Sequence, residues 1–100
     1  MAAVLSLTLS LAFVVTVSGD PDCPTADAVH EAMARILDAS DTALREVRVD
    51  VSPSSVVVSV LGEHNEVLAQ KSLPSSYSCE ERAQAAAVFA TTWDAAASVL

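Results

Sequence analysis

The chain has two cysteines, Cys23 and Cys79, so only one intramolecular pairing is possible. Each cysteine opens a helical pattern, and the stretch between those helices alternates with a period of two. A Cys23–Cys79 bond would tie the start of the first helix to the start of the last, which restricts the chain to folds in which those starts are neighbours. Closing a loop of this length removes unfolded-chain entropy worth about 4 kcal/mol. That is a large share of the stability of a small domain.

Whether the bond forms depends on the compartment. Residues 1–17 carry no charged side chain, and Ser18-Gly19 and the acidic stretch Asp20-Pro21-Asp22 follow. This is the shape of a secretory leader. Val17 and Gly19 stand three and one positions before a cut, so residues 1–19 are read as a cleavable signal peptide and residues 20–100 as a single small domain. An uncleaved anchor and a buried core segment are the rival readings of the same run. It is shorter than the roughly 20 apolar residues of a membrane span, and Ser6, Thr8, Ser10 and Thr16 interrupt it. Cys23 follows Asp-Pro-Asp, unlike a lipid-modified cysteine, which follows directly on small and apolar residues. The expected location is the periplasm, the cell envelope or the medium, where oxidising conditions favour a structural disulfide. A reactive thiol is the alternative, but Glu80 and Glu81 oppose a thiolate at Cys79 and there is no C-x-x-C pair.

Composition supports the need for a staple. Of the 39 hydrophobic residues in positions 20–100, 15 are alanine, leaving 24 larger apolar side chains and a thin core. The net charge of -8 lies wholly in that part of the chain. With 13 acidic against 5 basic residues, no phosphate-neutralising stripe can form, so nucleic acid is excluded as a partner, and a membrane is expected only if the leader stays attached. Two glycines, Gly19 and Gly62, are too few for a phosphate-cradling loop.

Val29, Met33, Ile36 and Leu37 predict an amphipathic helix over 25–39 with Thr25 as N-cap, and residues 39–42 read as a turn. Val47, Val49 and Val51 alternate with Glu46, Arg48 and Asp50 in a half-buried strand. After Ser52-Pro53-Ser54-Ser55, residues 56–61 form a strand apolar on both faces, and a third strand runs over 66–73. Ser78 with Glu81 is a capping box for a helix running to Leu100. Cys79, Ala86, Phe89, Ala90, Trp93 and Ala97 are expected on its buried face, with Glu80, Gln84, Thr91, Asp94 and Ser98 as a polar stripe. The predicted fold is α+β: a two-layer sandwich in the order α-β-β-β-α, with a three-stranded antiparallel meander and both helices on one face.

Catalytic chemistry finds little to stand on. His30-Glu31 is followed by Ala34 where a zinc-binding helix needs a second histidine, and His64 sits in a hairpin turn beside Glu63. No G-x-S-x-G elbow is present, and Glu63 with Glu66 or Glu80 with Glu81 read as solvated charge clusters. No nucleophile, base and orienter can be named together, so the chain is expected to be non-enzymatic, with no metal and no cofactor. The candidate interaction surface is the second sheet face, where Val57 and Leu61 are framed by Arg48 and Asp50. Burial of that strip under the Arg48 stem, and strand addition at a sheet edge, are the other readings.

The run Cys-Pro-Thr-Ala-Asp-Ala-Val at 23–29, the Val-rich meander, the Leu73-Pro74 stop and Ser78-Cys79 opening an Ala-rich helix with Trp93 resemble small exported two-cysteine α/β domains of high-GC, myxobacterial-type bacteria. The resemblance covers nearly all of residues 20–100. It implies export, the disulfide and the fold, and it transfers no functional residue. The expected function is an exported interaction module that binds another protein or itself. A small secreted inhibitor is the alternative, and a membrane-anchored accessory subunit follows if the leader is retained.

Overall fold

The computed structural model describes residues 13–37 and 45–97. The first helix ends at Ile36, short of the expected 39, because Leu37 turns extended and donates its N–H to the Met33 carbonyl as the C-cap; the expected turn over 39–42 and the chain beyond 97 lie outside the described residues. The elements run β1 (Val14–Ser18), α1 (Ala26–Ile36), β2 (Glu46–Val51), β3 (Val56–Leu61), β4 (Val67–Leu73) and α2 (Cys79–Ala97). The α+β class and the β2-β3-β4 antiparallel meander agree with the sequence reading, but the sheet has four strands and is mixed.

The fourth strand is a correction to the three-stranded expectation. β1 comes from the segment assigned to the leader and pairs in parallel with β2, Val15 opposite Val47 and Val17 opposite Val49. The physical reason lies in its alternation: Val15 and Val17 pack toward the core, while Thr16 and Ser18 point outward to Glu46 and Asp50. A parallel pair needs a crossover, which α1 supplies.

Both helices cover one sheet face. Val29, Ala32 and Met33 of α1 and Ala83, Ala86, Ala87 and Ala90 of α2 share a core with Val47, Val49, Val56, Val58, Val60 and Leu73. Thr25 caps α1 by accepting from the Ala28 N–H at 3.1 Å. The α2 capping box is reciprocal: the Ser78 N–H donates to Glu81 Oε1 at 2.8 Å, and the Glu81 N–H donates to Ser78 Oγ at 3.1 Å.

The inward face of α2 differs from expectation. Thr91 and Asp94, placed on the polar stripe, are buried at 7% and 5% exposure, whereas Phe89 and Trp93 are half-buried at the margin. Alanines on several sides of α2 give the pattern no sharp face, and the row Ala83, Ala86, Ala87 and Ala90 allows the closest approach. The buried Thr91 hydroxyl is satisfied by donating to the Ala87 carbonyl at 2.7 Å.

The Cys23–Cys79 disulfide is formed, with Cα atoms 4.6 Å apart and the two residues 56 positions apart in sequence. Beside it Arg82 donates to the Cys23 carbonyl at 2.9 Å and to the Ser75 carbonyl at 3.1 Å, holding both helix approaches together. Replacing both cysteines by serine should lower unfolding stability by about 4 kcal/mol, read as a reduced urea midpoint with a steeper slope, because the unlinked unfolded chain is more open.

Candidate functional site

With α1 and α2 on one side, the opposite sheet face is left without a helical cover. Register places Thr16, Arg48, Ser59 and Gln70 in one row across it, and Ser18, Asp50, Val57 and Ser72 in the next. Side-chain hydrogen bonds run within each row and from the first row to Glu46. Thr16 Oγ1 donates to Glu46 Oε2 at 2.8 Å, Arg48 Nη2 reaches the same oxygen at 3.4 Å, and Ser18 Oγ donates to Asp50 Oδ1. Gln70 Nε2 donates to Ser59 Oγ at 2.9 Å.

At the end of this face a cleft of about 520 Å³ is lined by Val14, Thr16, Arg45, Glu46, Gly62, Glu63 and Asn65. Arg45 and Glu63 meet across it at 3.1 Å. The result is a flat array of alternating charge and hydroxyl groups, suited to hydrogen bonding and ion pairing with another surface. These are exposed pairs, so their own contribution to stability is small.

Of the residues expected on this surface, Arg48 and Asp50 are exposed and Val57 is half-buried. Leu61 is 1% exposed and offers no contact area. Its cross-strand neighbours are Glu46 and Val67, next to the register irregularity at Val60/Leu61, where β4 supplies an extra residue. Thr16 and Ser18 were missed because they stand in the apolar run read as a leader. The Val-Thr-Val-Ser alternation was the available signal.

The histidines have separate places. His30 stacks on Phe13 with ring centroids 4.8 Å apart and closes the core at the end of β1. His64 lies in the β3–β4 turn, where its backbone N–H donates to Glu66 Oε1 at 2.8 Å. Among the described residues no group of three or more His, Cys, Asp or Glu could hold a metal ion. A second surface lies on the outer side of α2, where Tyr77, Ala85 and Val88 line two adjoining grooves of about 490 and 500 Å³. Among the described residues no helix is long and apolar enough to cross a membrane.

Compared with protein-family models, curated proteins and solved structures, the chain matches none.

The Glu66 carboxylate sits in the same β3–β4 turn as His64. Hydrogen bonds from its own backbone N–H and that of His64 hold it below the ordinary value of 4.5, slight desolvation opposes this, and the His64 charge adds least. Because the folded state favours the ionised form, the contribution to turn order is complete above the unfolded pKa and is lost as pH falls through the folded one. An NMR titration of the His64 amide shift should show a midpoint below 4.5. Glu66→Gln should flatten that titration, and a wild-type midpoint at or above the ordinary value would count against the assignment.

Proposed function

We propose that the chain is an exported, non-enzymatic module that binds another protein through the uncovered sheet face. The observation that carries this reading is the one-sided placement of α1 and α2, which leaves Thr16, Ser18, Arg48 and Asp50 facing solvent on a four-stranded sheet. A rigid sheet holds such side chains at fixed spacing, which lowers the ordering cost of recognition. The Cys23–Cys79 bond supports the exported setting, since such bonds persist in oxidising compartments.

Charge points to the kind of partner. A net charge of -8 disfavours a second copy and steers a basic protein surface toward Asp50 and Glu46, the latter already paired with Arg48. Asp50→Lys and Val57→Lys, combined in one variant, should keep the fold and disulfide but reduce partner recovery after in-cell cross-linking by about tenfold or more. Wild-type recovery by this variant would overturn the sheet-face reading. Dimerisation of the purified wild-type protein that the same substitutions abolish would redirect it to a second copy.

A further inference from the structure

We propose that the open edge of β4 and the groove beside it take an extended segment of a partner protein as a fifth strand, with an apolar side chain seated against Tyr77, Val88 and Phe89 and a carboxylate on Lys71. This surface is separate from the uncovered sheet face and does not depend on the binding proposed for it.

Among the described residues β4 pairs only with β3, so every second residue along Val67–Leu73 turns its backbone N–H and C=O away from the sheet. α2 does not close this edge. Between the two lies the cleft of about 500 Å³, with Lys71, Ser72 and Leu73 on one wall and Ala85, Val88 and Phe89 on the other. Successive side chains of a strand point to opposite faces, so three consecutive β4 residues border one cleft only where it follows the strand's edge. A segment paired with β4 therefore lays alternate side chains into the cleft. The apolar lining is incompletely covered: Tyr77 and Phe89 are half-buried and Val88 is 52% exposed. An aromatic or branched apolar side chain seated there buries surface that the domain leaves wet.

Charge fixes the rest of the partner. Lys71 is the only lysine of the chain, stands opposite Val58 on the helix-covered side, and makes no ion pair among the described residues. No acidic residue occurs from Val67 to Cys79, in a chain that has 13. A carboxylate on the incoming strand meets the least repulsion here, together with the Lys71 ammonium. At the other end the adjoining groove reaches Glu80 and Glu81, which sets that carboxylate at the Lys71 end. A lysine in an edge strand also guards against the pairing of like edges. Two β4 strands paired antiparallel about their middle bring their Lys71 side chains close, so the same charge rejects a second copy and selects an acidic segment.

The test selects short random peptides displayed on phage against the whole oxidised chain, then measures binding of the enriched peptides, made synthetically, by fluorescence anisotropy. Peptides that alternate apolar residues and carry an Asp or Glu are expected. Lys71→Glu should weaken their binding about tenfold or more with Tm unchanged, and exchanging the peptide's acidic residue for lysine should restore it. N-methylation of one alternate set of peptide amides should abolish binding while the other set tolerates it, as strand addition requires. Absence of enrichment, binding indifferent to Lys71→Glu, or equal tolerance of both methylated sets overturns the proposal. Peptides whose binding is lost with Asp50→Lys and kept with Lys71→Glu belong to the sheet face and overturn it too. A wild-type dimer that Val88→Asp dissolves gives the groove to a second copy, with the same consequence.

Discussion

Five valines, Val47, Val49, Val56, Val58 and Val60, form a layer with no solvent exposure, and the placement of every other element follows from keeping that layer dry. Valine suits a pleated surface but is short, so the layer has little reach of its own and must be covered closely. The alanine row of α2 provides that approach on one side, Met33 and Val29 of α1 fill the adjacent space, and β1 and β4 flank the two central strands. With so few large apolar side chains, the helices need a further constraint. The Cys23–Cys79 bond supplies it at the point where α2 begins and the chain approaches α1.

This arrangement also sets the character of the opposite face. The residues that alternate with the buried valines are Glu46, Arg48 and Asp50 on β2, and β1 adds Thr16 and Ser18 beside them. Parallel pairing brings each hydroxyl within hydrogen-bonding distance of a β2 carboxylate, so β1 extends the polar array that β2, β3 and β4 already carry. The strand that guards the core edge on one side thus completes the candidate binding surface on the other.

Much of the fold was legible from local chemistry. Thr25 and the Ser78–Glu81 pair announce helix starts because a side-chain oxygen there meets an otherwise unpartnered N–H. Val47, Val49 and Val51 announce a strand because alternation sorts side chains between two faces. The candidate site was less legible. Thr16 and Ser18 were hidden in an uncharged stretch that serves equally well as a leader or a strand, and Leu61, expected on the second face, is buried beside the β4 register irregularity. The inward turn of α2 toward Thr91 and Asp94 could not be read from an alanine-rich pattern, in which neighbouring faces differ little in hydrophobicity.

The sequence by itself determined the α+β class, the meander, both helix starts and the only possible disulfide, because each depends on neighbours along the chain or on a count of two cysteines. Only the tertiary structure decided that Val14–Ser18 is a strand, which face of α2 is buried and which residues of the second sheet face remain accessible. These depend on what lies opposite: β1 pairs with a strand 32 positions later in register, and α2 takes its rotation from the close packing it can achieve. Such choices are settled by competition for one small volume of core, and periodicity along a single segment carries no information about that competition.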